Sequence, residues 1–263
     1  MFLGSGSAGN STAISCGETL ILVDCGFSAR ETASRMRAAG LDPARVSAVF
    51  VTHEHSDHVR GIDVFVRRCA PGCVVYATPG TLRSAPLRAC RVETSALRPG
   101  ASDAVADLTV TSFRTSHDAT EPVGFRIEGG GETLGLVTDT GVVGHEAACA
   151  LQGVDVLGLE VNHDLHMLQH GPYPYHLKRR IVSARGHLSN ADAAAALERL
   201  ASDRLKRVIA LHRSRTNNTA ELAEAAVRER LERMGHPARV DVAYQDGAID
   251  TAQSPATDDA RHT

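Results

Sequence analysis

The feature that most constrains this chain is a dense run of metal-binding residue types, Thr52-His53-Glu54-His55-Ser56-Asp57-His58, directly after the apolar run Val46–Thr52. Three imidazoles and two carboxylates within six residues exceed what solvation or packing requires, although a solvated histidine-rich loop is the alternative interpretation. On a loop leaving a strand, His53 and His55 can point at one metal ion, while Asp57 and His58 can reach a second. Such ligands suit zinc, manganese or iron(II). The run therefore predicts a metal site at a strand end.

Short apolar runs separated by helix and turn signals indicate an α/β architecture. The runs that predict buried strands are Thr19–Asp24, Val46–Thr52, Val74–Ala77, Leu108–Ser116, Leu134–Thr138, Val154–Glu160, Arg207–Leu211 and Val240–Tyr244. Capping pairs predict three helix starts, at Ser28 with Glu31, Ser189 with Asp192, and Asn218 with Glu221. The glycine run 129–131 predicts a hairpin turn after a strand at Val123–Ile127. Hairpins mixed with β/α alternation predict an α/β sandwich and not a simple doubly wound sheet.

The length of 263 residues fits one large domain or two small ones, and we expect a single domain over residues 1–250. Residues 251–263 show no apolar periodicity, and we expect a disordered tail there.

Charge and cysteine content limit the partners and the compartment. The net charge of −3 gives no overall attraction to nucleic acid or to an anionic membrane, so a nucleic-acid partner would need a local basic patch. No apolar run approaches the roughly 18 residues of a membrane-spanning helix, and the first residues lack the pattern of a signal peptide. Six scattered cysteines fit a reducing compartment. We therefore expect a cytoplasmic protein with no membrane partner.

The His-x-His-x-Asp-His motif at residues 53–58 resembles the signature of the metallo-β-lactamase superfamily. This resemblance implies a four-layer αββα sandwich, of the α/β (α+β) class, with a mono- or dinuclear metal site at one edge. It also implies that Asp24 positions the metal loop by hydrogen bonds, that His117 and His212 are further metal ligands, and that Asp139 bridges two ions. Alone, each of these residues would more often be a turn, cap or surface residue, so the assignment depends on the whole set.

A narrower resemblance, to the YycJ/WalJ branch of that superfamily, covers nearly the whole chain. The segments that carry it are residues 4–11, His117-Asp118-Ala119 before Pro122-Val123-Gly124, Glu160-Val161-Asn162-His163-Asp164, Gly171-Pro172-Tyr173-Pro174, Gly186-His187-Leu188-Ser189-Asn190 and Asn217-Asn218. That branch comprises bacterial proteins regarded as metal-dependent exodeoxyribonucleases, so it implies a nucleic-acid substrate, most simply DNA. One departure is Arg213 after His212, where the branch tends to have Leu.

Two features of the sequence bear on the substrate. The loop Gly4–Ser11 offers backbone N–H groups to an anion, although a flexible β-turn is the simpler interpretation of its local sequence. The segment from Lys178 to Arg215 holds ten basic and three acidic residues, a local charge of +7, which fits either a phosphate-backbone track or a solvated helix face. The residues that we expect to contact the substrate are Ser5, Ser7, Asn10, Asn162, Lys178, Arg179, Arg180, Arg185 and Asn217.

These residues suggest a mechanism with two divalent ions, zinc or manganese, or alternatively iron. Ions about 3.5–4 Å apart would activate a hydroxide for attack on a phosphodiester. One ion would be held by His53, His55 and His117, the other by Asp57, His58 and His212, and both by Asp139. Asp57 and Asp139 thus also belong to the catalytic residues. The resemblance implies that His187 lies near the scissile phosphate and protonates the leaving oxygen, whereas by itself it would be a helix-cap contact.

Three other functions remain open. A thioester or lactam hydrolase of the same fold would share the ligands, but it would leave the basic segment and the His187 loop without a role. An iron oxygen reductase of this fold typically has Glu in place of the second histidine and lacks the Asp-His ending, which disfavours it here. A non-catalytic metal-binding module would be expected to have lost ligands, and none is missing. The oligomeric state is left open.

Overall fold

Two mixed β-sheets form the centre of the protein in the computed structural model, which describes residues 1–249. The tail expected at 251–263 lies outside the described residues. Within 1–249 the first sheet has six strands in spatial order β1 to β6: β1 (Phe2–Gly4), β2 (Ser11–Cys16), β3 (Thr19–Val23), β4 (Val46–Phe50), β5 (Val74–Ala77) and β6 (Thr94–Ala96). The hairpin β1–β2–β3 is antiparallel, and β3 to β6 run parallel.

The second sheet follows in the chain and repeats this mixture. In the described part of the chain it has seven strands: β7 (Ser102–Val105), β8 (Leu108–Arg114), β9 (Val123–Gly129), β10 (Glu132–Val137), β11 (Val156–Glu160), β12 (Arg207–Leu211) and β13 (Arg239–Val242). Strands β7 to β10 are antiparallel neighbours, and β10 to β13 are parallel. The glycine run at 129–131 forms the predicted turn between β9 and β10.

α-Helices connect many of the strands. Along residues 1–249 they are α1 (Ala29–Ala38), α2 (Ser56–Val59), α3 (Ile62–Cys69), α4 (Pro79–Arg83), α5 (Ala85–Arg88), α6 (His145–Leu151), α7 (Leu165–His170), α8 (Tyr175–Ile181), α9 (Asn190–Leu200) and α10 (Ala220–Arg233). Ser28 and Ser189 cap α1 and α9 as predicted, since each side chain accepts a backbone hydrogen bond three residues on.

The predicted start of α10 at Asn218 is wrong by one residue. Thr219 is the N-cap, and its hydroxyl accepts from the backbone N–H of Leu222. The Asn218 amide instead joins α9 to β11, because it donates to Asn190 and to the carbonyl oxygen of Val161. Asn218 is buried, and a helix cap would not have required its burial.

Three apolar clusters define four layers. Phe50, Phe125 and Ile209 belong to the cluster between the two sheets. A second cluster joins α1 and α3 to the outer face of the first sheet, and a third joins α6, α9 and α10 to the outer face of the second. Because each sheet is apolar on both faces, both faces are covered. The expected αββα sandwich is therefore confirmed.

This topology brings several strand ends to one edge. Strands β3, β4, β8, β10, β11 and β12 all end there. Strand β8 runs in the same direction as β10, because β9 lies between them and is antiparallel to both. Phe2 and Ile249, at the two ends of the described segment, form an antiparallel bridge. Among the described helices, none has the length and apolar character required to cross a membrane.

Candidate metal centre

The polar residues at this shared edge are held in an uncommon backbone conformation. Asp24, Asp139 and His212 follow β3, β10 and β12, with φ values of 60°, 53° and 51°. Left-handed φ is rare outside glycine, and it turns the chain sharply away from the strand direction. Within residues 1–249, Ala106 is the one other non-glycine residue with positive φ. The turns direct three side chains from separate strands into one volume.

Asp24 organises the loop that carries the histidine run. Its Oδ1 accepts from the backbone N–H of Thr52 (2.9 Å), and its Oδ2 accepts from the Thr52 hydroxyl (2.9 Å) and from Nδ1 of His58 (2.7 Å). Since the Thr52 hydroxyl donates to Asp24, it accepts from Nδ1 of His53, 3.0 Å away. Nε2 of His53 and of His58 is therefore left as an acceptor that can bind a metal ion.

His117 and His212 are oriented in the same way from the second sheet. His117 Nδ1 donates to the carbonyl oxygen of Gly186 (3.1 Å), and His212 Nδ1 donates to Oε1 of Glu160 (3.0 Å). Carbonyl and carboxylate oxygens can only accept, so both contacts fix the tautomer. In each ring Nε2 faces the centre of the site, as a metal ligand supported by a second hydrogen bond would.

The inward-facing donor atoms form two adjoining groups. They belong to a set of four overlapping groups, each with its ligand atoms within 4.8 Å of one another, and the two adjoining groups are His53, His55 and His117, and Asp57, His58 and His212. The other two contain Asp139, one with His53 and His58 and one with Glu160, His187 and His212. Nε2 of His53 and of His212 is buried without a hydrogen-bond partner among residues 1–249. A buried nitrogen in this state requires a partner, and imidazole with carboxylate is a donor set that transition metals favour. The residues present therefore fit divalent ions.

Asp139 lies between the two groups. Its Oδ2 is 3.3 Å from Nε2 of His58, and its Oδ1 is 3.6 Å from Nε2 of His212 and 3.8 Å from Nε2 of His117. It thus approaches a member of each group, as a carboxylate shared by two ions would.

The electrostatics of the site favour positive charge. Burial raises the pKa of Asp139, but the neighbouring His212 and His58 outweigh it and hold that pKa well below its usual value. Burial lowers the pKa of His212, but the nearby carboxylates of Asp139, Asp57 and Glu160 raise it to about 10. A cation that binds here takes the place of protons on such imidazoles.

Glu160 contacts the site, and the sequence alone assigned it no role. It is fully buried at the end of β11, where its Oε1 accepts from Nδ1 of both His187 (2.8 Å) and His212 (3.0 Å). Its Oε2 accepts from the backbone N–H of Thr140 and Leu188. Burial raises its pKa, but His187 and these hydrogen bonds lower it to about 2, so Glu160 is ionised. The available signal was a carboxylate that ends the apolar run Val154–Glu160, although acids at strand ends are common.

His187 borders a cavity of about 230 Å³ that opens onto the donor groups. It lies in the loop between α8 and α9, where sequence analysis put it, and its side chain is 13% exposed. Burial lowers the pKa of His187, but the carboxylate of Glu160 outweighs burial and raises it. Nδ1 of His187 is also 3.8 Å from Oδ1 of Asp139, so distance alone does not separate a metal ligand from a proton donor.

Most polar residues of the Gly4–Ser11 loop are engaged within the protein. Ser5 and Asn10 are buried, with Ser5 Oγ accepting from the backbone N–H of His212 and Asn10 Nδ2 lying 3.1 Å from Nε2 of His58. The backbone N–H groups of the loop donate to Asn10, Gln245 and main-chain carbonyls, with Ser7 as the exception in the described chain. The loop is therefore a supporting turn and not an open anion nest, and exposed Ser7 alone of these expected contacts borders the cavity.

The other expected contacts fall into two sets. Asn162 borders the cavity, and its amide donates to the carbonyl oxygen of His212 (2.7 Å). Asn217 is buried, and its side-chain amide has no hydrogen-bond partner among residues 1–249. On α8, Lys178 donates to the carbonyl oxygen of Gln169, and Arg179 lies over the ring of Tyr175.

Arg180 and Arg185 lie nearest the donor groups. Arg180 borders the cavity and pairs with Asp118, whose Oδ1 is 3.3 Å from Nε2 of His117. Arg185 donates to the backbone carbonyl of His117 (3.3 Å).

The basic segment 178–215 does not form one continuous track. Arg204 and Lys206 pair with Asp155 before β12 begins, at the opposite end of that strand from His212. Arg207 pairs with Asp241. The sequence count of +7 is therefore divided between two edges of the sandwich, and much of it is neutralised by acids from other segments.

Comparisons with known proteins agree with this geometry. The family model described as "Beta-lactamase superfamily domain" matches residues 19–213. The chain is 36% identical over 236 residues to "Exodeoxyribonuclease YycJ" of Bacillus anthracis, covering 89% of each chain. It is 34% identical over 261 residues to "Exodeoxyribonuclease WalJ" of Streptococcus pneumoniae, covering 97% of this chain and 96% of the relative. Among solved structures, the metallo-β-lactamase fold protein YhfI of Bacillus subtilis aligns with a TM-score of 0.70 at 15% identity, covering 95% of this chain and 98% of YhfI.

Proposed function

The chain belongs to the metallo-β-lactamase superfamily, in its YycJ/WalJ-like branch, and from this premise we propose that it is a dinuclear phosphodiesterase acting on DNA ends. Its class, a metal-dependent hydrolase, follows from the family. The observation that carries the finer proposal is the meeting, in one cavity, of two metal-donor groups with a histidine held by a buried glutamate. The names of the YycJ and WalJ relatives favour DNA over RNA.

Each donor group would hold one ion. His53, His55 and His117 would bind the first, and Asp57, His58 and His212 the second, with Asp139 shared. Bound divalent ions would act as Lewis acids on the phosphoryl group and lower the pKa of a water molecule. Asp24, Thr52 and Glu160 keep the imidazoles in the tautomer that such binding needs.

His187 supplies the proton for the leaving group in this proposal. Because Glu160 is ionised and accepts from Nδ1 of His187, the ring presents Nε2 as its other proton-carrying atom. Expulsion of a sugar alkoxide requires a proton, and an imidazole positioned beside the phosphate can deliver it. The free thiols of all six cysteines, which lie within residues 1–249, accord with a reducing cytoplasmic setting for the reaction.

The test is cleavage of end-labelled single- and double-stranded DNA and RNA by protein loaded with zinc or with manganese. We expect release of mononucleotides from linear DNA and no nicking of a covalently closed circle. A thioester and a β-lactam are the control substrates. Their turnover without cleavage of DNA would instead identify the alternative hydrolase of the same fold.

A further inference from the structure

The cavity beside the donor groups has one wall of a different chemistry. The lining includes metal-donor side chains, His187 and Arg180, and it also includes Tyr173, Leu177 and Ile181, which we call the apolar wall. Leu177 and Ile181 are one turn apart on α8, so they present a continuous aliphatic surface. Hydrolysis of a phosphodiester does not itself require this surface. The wall therefore indicates recognition of a planar, apolar part of the substrate.

The backbone on either side of Tyr173 is constrained. Tyr173 lies between Pro172 and Pro174, whose rings fix their own φ angles. Before them, Gly171 packs so closely that a Cβ there would lie 2.6 Å from Oδ1 of Asn217 and from the carbonyl oxygen of Met167. Within residues 1–249 no aromatic ring or cation stacks on Tyr173, whereas Arg179 lies over the neighbouring Tyr175. The ring of Tyr173 thus lines the cavity on a backbone segment that has little left to be ordered on binding.

We propose that Tyr173 stacks on the base of the terminal nucleotide and so selects an unpaired residue at the DNA end. This inference rests on the proposed function. A cavity of about 230 Å³ is too small for a pair of nucleotides, so a base that reaches Tyr173 must have left its partner. Stacking of a base on an aromatic side chain is tolerant of sequence, because every base has a π-face. The usual strength of such stacking corresponds to a roughly 5- to 150-fold gain in binding affinity.

The test compares oligonucleotides whose terminal nucleotide carries either a base or an abasic tetrahydrofuran analogue, at the 5′ and the 3′ end in turn. We expect the metal-loaded wild type to prefer the base by roughly 5- to 150-fold in kcat/KM for the first cleavage, mainly through KM. Tyr173→Ala should lose this preference, because its activity on the base-containing end falls to the abasic level. Tyr173→Phe keeps the ring and should keep the preference.

Tyr175→Ala is the matched control, since Tyr175 is 75% exposed two residues away and does not line the cavity. This variant should keep the preference. If Tyr173→Ala slows cleavage of both substrates equally, with circular dichroism unchanged, the stacking proposal is overturned, whereas the proposed function in DNA cleavage still stands. Tyr173→Leu retains side-chain bulk, and full preference in that variant would also overturn stacking. A wild type that cleaves neither substrate would instead refute the proposed function, and the stacking proposal with it.

Discussion

At the scale of single residues, Glu160 connects two side chains with different proposed tasks. Its Oε1 accepts from His212, a proposed metal ligand, and from His187, the proposed proton donor. One buried carboxylate therefore sets the tautomer of both rings and fixes their separation. A change that moves Glu160 would disturb metal binding and proton transfer together, so His187 itself is the better residue for separating the two.

Replacing His187 by Ala should slow DNA cleavage by roughly 10²–10⁴-fold, the usual contribution of a positioned acid. A phosphodiester with a nitrophenolate leaving group scarcely needs the proton, so its hydrolysis should slow much less. Both rates are measured on the same preparation, together with metal content and the melting temperature Tm, which should both stay unchanged.

Each other outcome for His187→Ala would assign a different role to His187. Loss of metal would make His187 a ligand, as its 3.8 Å distance to Asp139 permits. Equal slowing of both substrates would make it a residue that positions the phosphate. Full activity on DNA would leave His187 without a chemical role.

We expect the wild type to bind nearly two ions per chain. Replacing Asp139 by Ala should lower the occupancy of both metal positions, because Asp139 approaches both donor groups. Elemental analysis after dialysis measures this. Asp118→Ala is the control, since Asp118 is adjacent in space and outside the proposed ligand set. Unchanged metal content in Asp139→Ala would contradict a shared carboxylate.

The candidate site could be predicted from sequence where its signal is local. The histidines at 53, 55 and 58 and Asp57 lie within six residues, and the structure brings them together with His117, Asp139 and His212. Glu160 has only a weak local signal and the fixed tautomers have none, because they depend on contacts between residues up to 69 positions apart. Burial likewise decided the roles of Ser5 and Asn10, and sequence alone does not show burial of a polar residue.

At the scale of elements, Asp155 joins three strands of the second sheet just before β11. Its Oδ2 accepts from the backbone N–H of Thr133 (3.0 Å) and from Arg204 (2.8 Å), and its Oδ1 pairs with Lys206 (3.2 Å). Its carbonyl oxygen accepts from the backbone N–H groups of Lys206 and Arg207. These contacts hold the start of β11 between β10 and β12, at the edge away from the metal centre.

Asp155→Ala should lower the free energy of unfolding by about 1–3 kcal/mol, because a buried backbone N–H loses its charged acceptor. Burial raises the pKa of Asp155, but Arg204 and Lys206 outweigh it and lower the pKa. A lowered pKa means that this stability is present above the unfolded pKa and is lost as the folded carboxylate is protonated. The difference from wild type should therefore shrink below about pH 4.

Urea unfolding of chelator-treated protein at several pH values measures this effect. Asp203→Asn is a control from the same surface, because Asp203 is exposed and has no ion pair within residues 1–249. A pH-independent difference between Asp155→Ala and wild type would show that the carboxylate charge is not what stabilises the strands.

Prediction of elements succeeded for most strands whose burial is continuous, although the buried strand β1 (Phe2–Gly4) was not predicted. Strands such as Arg207–Leu211 are apolar on both faces and were placed correctly, because a doubly covered strand reads as one apolar run. Strands β6 and β7 are partly exposed and short, and their residues Thr94–Ala96 and Ser102–Val105 give no apolar period. The sheet partners, not the local sequence, hold them in place.

At the scale of the whole molecule, the metal centre connects the two sheets. Asp24 and residues 53–58 come from the first sheet, and His117, Asp139 and His212 come from the second. Bound ions would therefore link the two halves of the sandwich at one edge.

Removing the ions with a chelator should lower Tm, because ligands that bind the folded state stabilise it by mass action. Differential scanning calorimetry over a series of metal concentrations measures the shift, which should saturate near two ions per chain. Asp139→Ala should show a smaller shift. An unchanged Tm across the series would indicate that metal does not bind preferentially to the folded sandwich.

The left-handed turns at Asp24, Asp139 and His212 imply a trade-off between stability and activity. A non-glycine residue in such a conformation costs on the order of 1–3 kcal/mol. Glycine would relax the backbone at each position, yet it would remove the side chain on which the centre depends. Evolution towards higher thermal stability is therefore obstructed at these three positions, and stabilising changes that preserve hydrolysis must come from elsewhere in the sandwich.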